Sequence, residues 1–179
     1  MLKFLDFSEK YGVGYQLSNG LIGVLFNDLT KLVLDPNNYH LDYFELDENK
    51  KEVRNDQVNN TLESIPDFLV KKMKIMVHLG AKMKGIPPEK FVAMIKSPKT
   101  AHKESELDET MKTEDALQRK VPNMIFVMKW MKTRHAFMFR LSNNMIQSIF
   151  DDGSELMYNS WTCDITYVNK RGEKINCTL

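Results

Sequence analysis

The strongest constraint on this chain is that it repeats itself. Residues 17–34 read LSNGLIGVLFNDLTKLVL and residues 141–158 read LSNNMIQSIFDDGSELMY, an ungapped offset of 124 positions. Leu17/Leu141, Ser18/Ser142, Asn19/Asn143, Ile22/Ile146, Phe26/Phe150, Asp28/Asp152 and Leu32/Leu156 are identical, and the register persists to Tyr43/Tyr167. Self-similarity at one long period means one supersecondary unit used twice. The chain should therefore hold two similar lobes.

Each copy is also legible alone. Short apolar runs at 14–17 and 137–141 lead into Ser18-Asn19-Gly20 and Ser142-Asn143-Asn144, residues that tolerate a tight turn. Residues 21–26 return, Asn27-Asp28 and Asp151-Asp152-Gly153 turn again, and 30–34 and 154–158 go out once more. Three strands joined by tight turns make an antiparallel meander. Residues 40–45 and 163–169 read as a fourth strand in each copy, 51–54 as a weak one, and 173–179 as the last.

Between the copies lies one clear helix, 64–84. Ser64 and Asp67 fit a capping box, with Pro66 tolerable in the first turn. Ile65, Phe68, Leu69, Met76, Leu79 and Met83 fall on one stripe, with Lys71, Lys72, Lys74 and Lys82 mainly off it. Gly85 followed by Pro87-Pro88 stops it, with a short helical turn expected at 89–95. Residues 96–120 mix both charge signs with few large apolar side chains and read as a linker, partly helical around 114–119. The expected fold class is α+β: two similar antiparallel β-sheets with a covering, connecting α-helix. The expected divisions are 1–60, 61–95, 96–120 and 121–179.

Bulk properties exclude several classes. At 42% hydrophobic residues and net charge +1, the chain has a real core and no general pull toward nucleic acid or an anionic membrane. No apolar run reaches the ~18 residues that would span a bilayer, and Asp6 and Glu9 interrupt any signal peptide. Two cysteines, Cys163 and Cys177, are too few for a disulfide framework and read as reduced intracellular thiols. The twelve methionines fit adaptable packing or a peptide-accepting surface. There is no Gly-rich phosphate loop, nucleophile elbow or kinase catalytic run, and His40, His78, His102 and His135 are scattered without metal-ligand spacing. No catalytic residue, metal or cofactor is expected.

Two long motifs carry a resemblance. The run 11–28, YGVGYQLSNGLIGVLFND, resembles the first polo box of a Polo-like serine/threonine kinase, and 130–143, WMKTRHAFMFRLSN, resembles the opening of the second. The resemblance implies two polo boxes, 1–60 and 121–179, forming a protein-interaction and targeting module of such a kinase. It implies ligand docking in the cleft between the boxes, and a parent kinase domain elsewhere. The implied setting is intracellular: centrosome, spindle or basal-body-like structures. Partners would be protein or peptide segments, phosphorylated in the family at large. By resemblance the peptide-binding residues are Phe4, Leu5 and Asp6, with Ala81 and Lys82 at the helix end bordering the groove. Phe4 stands where the family has a tryptophan, keeping the aromatic face without the indole N–H; a core position in the first sheet fits it equally.

The resemblance also exposes a departure. The family grips phosphoserine or phosphothreonine with a histidine and a lysine, two apart, after the aspartate matching Asp152. Here those positions are Gly153 and Glu155. Cationic donors bind a nearly doubly charged phosphate well, whereas Glu155 repels it. Lys31 matches Glu155 in the first copy, which the family does not use for this purpose. Three readings stay open: partner binding without the pincer, phosphopeptide binding through other cations such as Lys129, Lys132 or Arg134, and self-association through sheet edges.

Overall fold

The computed structural model describes residues 3–37, 40–55, 65–96 and 124–178. The chain divides into two compact units, 1–124 and 125–179. The first contains strands β1 (Lys3–Phe7), β2 (Gly12–Gln16), β3 (Ile22–Phe26), β4 (Lys31–Leu34), β5 (Leu41–Leu46) and β6 (Glu52–Arg54), then helices α1 (Val70–Lys84) and α2 (Pro88–Lys96). The second contains β7 (Val127–Lys132), β8 (Ala136–Leu141), β9 (Met145–Phe150), β10 (Glu155–Asn159), β11 (Asp164–Val168) and β12 (Lys174–Thr178). Each set forms a six-stranded antiparallel meander in sequence order. The expected fold class is the observed one.

The repeat holds in the pairing itself. Ile22 faces Leu34 as Ile146 faces Tyr158, Leu32 faces Tyr43 as Leu156 faces Tyr167, and Gly12 faces Phe26 as Ala136 faces Phe150. Side-chain caps fix both inner turns alike. Asn19 Oδ1 accepts from the Leu21 N–H at 3.1 Å, and Asn143 Oδ1 from the Met145 N–H at 3.3 Å. Asp28 Oδ1 accepts from the Thr30 N–H and hydroxyl at 3.1 and 2.6 Å; Asp152 Oδ1 does the same for Ser154 at 2.9 and 2.6 Å. These Asx turns set the register of the strands they join. The copies drift apart only in the outer hairpins. Phe4 faces Tyr15, but Trp130, not the residue 124 positions on from Phe4, faces Phe139, with a register shift between Val127 and Lys129.

Helix α1 covers one face of the first sheet. Leu69, Met73, Met76, Leu79 and Ala81 pack with Ile22, Val24, Phe26, Leu32, Leu34, Leu41 and Tyr43, and Phe91 and Ile95 of α2 complete the cluster. Burying each large side chain contributes about 1.5–3 kcal/mol, which outweighs any helix propensity term. α1 stops as expected: Gly85 takes φ 65°, and the Ile86 N–H donates to the Ala81 carbonyl at 3.0 Å. Its start differs from the expectation. Asp67–Leu69 form a 3₁₀ turn, the helix begins at Val70 without a side-chain cap, and Ser64 lies outside the described residues. Phe68 is consequently exposed and leaves the buried stripe, which Met73 joins. The expected short turn is the full helix α2, because Pro88 starts a helix without loss of any intrahelical donor. The rest of the expected linker, 97–120, lies outside the described residues.

The second unit holds strands and no helix among its described residues. Phe26 is therefore buried under α1, whereas its counterpart Phe150 is half-buried. Identity at the two positions does not bring equal burial with it. Trp130 is half-buried and stacks on Phe137 with ring centroids 6.2 Å apart.

Candidate functional site: the β1 edge and the β9–β10 turn

The residues singled out in the sequence fall in two places, one in each unit. In the first unit, β1 is an edge strand with β2 on one side. Side chains alternate across it. Leu5 and Phe7 pack against the core under α1, which leaves half-buried Phe4 and exposed Asp6 on the opposite face. Asp6 Oδ1 accepts from the Ser8 N–H at 3.1 Å and its hydroxyl at 2.6 Å, closing the turn that ends the strand. The last turn of α1 lies beside β1. Lys82 is exposed, with its ammonium 4.9 Å from the Phe7 ring centroid. Ala81, by contrast, is buried in the core, so its side chain presents no surface. The edge thus offers an aromatic ring and a carboxylate on one face and an ammonium on the other.

In the second unit, Gly153 is at the tip of the β9–β10 turn with φ 83°, and nothing lies within 4 Å of the place a Cβ would take. Glu155 begins β10 and is buried at 5% exposure. Its Oε2 accepts from Gln147 Nε2 at 2.8 Å. The counterpart Lys31 is also buried and forms an ion pair with Glu52. Both copies therefore put a buried charged residue at the first position of this strand and give it a side-chain partner of fitting chemistry. Lys129, Lys132 and Arg134 are exposed, and the Lys132 ammonium sits 5.0 Å from the Phe137 ring centroid. Among the described residues no cluster could hold a metal ion, and no helix is long and apolar enough to cross a membrane.

Lys72 was missed in the sequence, which placed it off the buried stripe. Its ammonium donates to Asp28 Oδ2 at 2.7 Å, to Thr30 Oγ1 and, at 3.4 Å, to the Tyr43 hydroxyl. It also lies 5.1 Å from the Phe26 ring centroid and 5.3 Å from that of Tyr43. The signal was its spacing: 69, 72, 73, 76 and 79 are helical neighbours. Burial alone would raise the Asp28 carboxyl, but the bonds from Lys72 and Thr30 hold it below its ordinary value.

Comparison with known proteins agrees with this architecture. The family model described as the POLO box duplicated region matches residues 9–73 and 133–179, more than half of the chain. The chain belongs to the polo-box family. It is 33% identical over 170 residues to the probable serine/threonine-protein kinase CCRP1 of Zea mays, covering 94% of this chain and 23% of that protein. It is 27% identical over 172 residues to serine/threonine-protein kinase PLK1 of Xenopus laevis, covering 96% of this chain and 24% of that protein. The chain thus spans about a quarter of the length of these relatives. In fold it is similar to the budding yeast Cdc5 polo-box domain solved with a Spc72 phosphopeptide: TM-score 0.68, 20% identity, 99% of this chain and 58% of the other covered. The same domain solved with the Dbf4 polo-interacting region gives a TM-score of 0.67 at 21% identity, covering 99% of this chain and 59% of the other.

Proposed function

We propose that this chain is the partner-docking module of a Polo-like serine/threonine kinase, and that it docks partner segments without the phosphate pincer. The segment lies along β1, in the cleft between the boxes, touching Phe4, Leu5, Asp6 and Lys82. Ala81 contributes backbone only, since its side chain is buried. The kinase domain belongs to the remainder of the protein, and docking places it near its substrates at spindle- or centrosome-like structures.

The observation that carries this reading is the pair of departures at Gly153 and Glu155. A phosphate needs charge-assisted donors. Gly153 brings no side chain, and Glu155 brings an acceptor already held by Gln147. A buried carboxylate facing a phosphate dianion is repulsive in a medium where charges are poorly screened. The experiment is a titration of the chain with one partner peptide in phosphorylated and unphosphorylated forms. Equal affinities support the reading, and a strong preference for the phosphorylated form overturns it.

A further inference from the structure

β1 is the edge strand of the first sheet, and the last turns of α1 set two basic side chains along it. Leu5 and Phe7 face α1, and strand alternation puts exposed Lys3 on the same face. The exposed Lys82 ammonium lies 4.9 Å from the Phe7 ring centroid. The exposed His78 ring meets Phe7 edge-on, with centroids 6.4 Å apart. His78 and Lys82 are four residues apart, so they share one side of the helix. Exposed side chains that touch the ring of an edge strand stand at its open border and not over β2.

This border carries one sign of charge. α1 has no aspartate or glutamate, and Asp6 lies on the opposite face of β1. Among the described residues no carboxylate pairs with Lys82. The Phe7 ring attracts the ammonium through its quadrupole and leaves the N–H donors for an acceptor. The end of α1 does not compete for them. The Ala81 and Lys82 carbonyls already accept from the Ile86 and Gly85 N–H groups at 3.0 and 3.2 Å.

We propose that a segment docked along β1 carries an aspartate or glutamate that sits at Phe7 between His78 and Lys82, so that a carboxylate, and not a phosphate, is its anionic anchor. The inference rests on the reading that partner segments dock along β1, and it names the chemistry of the segment. A strand added to a sheet edge takes affinity from main-chain pairing and selectivity from alternate side chains. Its side chains on the Phe4 and Asp6 face do not reach α1. Those on the other face meet Phe7 and, two residues on, Leu5. At Phe7 the donors are the Lys82 ammonium and an imidazole N–H, and a carboxylate has an oxygen for each. At Leu5 the surface is a half-buried apolar side chain, which favours an apolar residue. The expected motif is an acidic residue two positions from an apolar one.

The test selects unphosphorylated twelve-residue peptides from a displayed random library on the whole chain. Acidic-x-apolar triplets, in one direction, should be enriched. One selected peptide is then titrated beside its form with the acid replaced by the amide. The acidic form should bind about fivefold more tightly, the upper range for an exposed ion pair, and the difference should fade at high salt. Lys82→Ala should remove the difference and Lys82→Arg should keep it. Lys82→Glu should turn the selection toward lysine and arginine. Phe4→Ala should weaken both forms alike. No acidic enrichment, or a difference that survives Lys82→Ala, would overturn the proposal and leave docking along β1 standing wherever Phe4→Ala still weakens binding. Peptides indifferent to Phe4→Ala, or no peptide selected at all, would overturn both together.

Discussion

Gly80 of α1 lies against the ring of Phe91 in α2 so closely that a Cβ on Gly80 would sit 2.4 Å from the Phe91 Cζ. This contact sets how near the two helices approach. Ordinarily Gly→Ala inside a helix stabilises by about 1 kcal/mol. Here Phe91 is fully buried and cannot swing away, and overpacking costs about 1–3 kcal/mol. The clash wins. Gly80→Ala should lower the urea midpoint, and Gly80→Ala with Phe91→Leu should recover part of the loss; a stabilised single variant would contradict the packing.

The face of α1 decides a second outcome. Met76 is fully buried and Lys74 is exposed. Met76→Asp places an unpaired charge in the core and should cost about 3–5 kcal/mol. Lys74→Asp should change stability by less than about 0.5 kcal/mol. Equal melting temperatures for the two would show that the buried face is misassigned.

Asp42 and Arg54 give a pH-dependent prediction. Arg54 Nη2 is 2.6 Å from Asp42 Oδ1, on neighbouring strands β5 and β6. Burial raises the Asp42 carboxyl, and the Arg54 guanidinium offsets this only in part. A raised carboxyl favours the folded state below its unfolded pKa, and that contribution is lost as pH rises through the folded value. Arg54→Ala leaves the carboxylate without its ion-pair partner and should cost about 2–3 kcal/mol at pH 7, the low end for a buried pair because Arg54 is partly exposed. Protonating Asp42 removes that charge, so the loss should shrink as pH falls toward 4, followed by denaturant unfolding. A loss that grows on acidification would contradict the assignment.

Much of the fold is written in the turns. Asn19 and Asn143, and Asp28 and Asp152, cap their own turns, so local chemistry alone fixes three consecutive strands in each copy. What escaped depends on tertiary contact. Nothing local to Phe150 says that α1 covers its twin and not it. Phe68 fits the helical period but precedes the helix, because Pro66 and a 3₁₀ turn delay the start to Val70. α2 was legible only as a short turn at 89–95, because Pro87-Pro88 end one helix and also begin the next. Of the site residues, Phe4 was legible as a position in the first sheet, and only the strand order makes β1 an edge. Ala81 was not legible as core, since a small residue near a helix end gives no burial signal of its own. The burial of Glu155 and its bond from Gln147 needed the pairing of β9 with β10.

Isothermal titration of the wild type with a partner peptide and its phosphothreonine form should give the same affinity within about threefold, since the two charge-assisted donors, each typically worth ~1.5–3 kcal/mol, are absent from Gly153 and Glu155. Gly153→His with Glu155→Lys should create a preference for the phosphorylated peptide that weakens at high salt. A wild type that already prefers the phosphorylated peptide by tenfold or more would contradict the account and assign the phosphate to exposed cations such as Lys129 and Lys132.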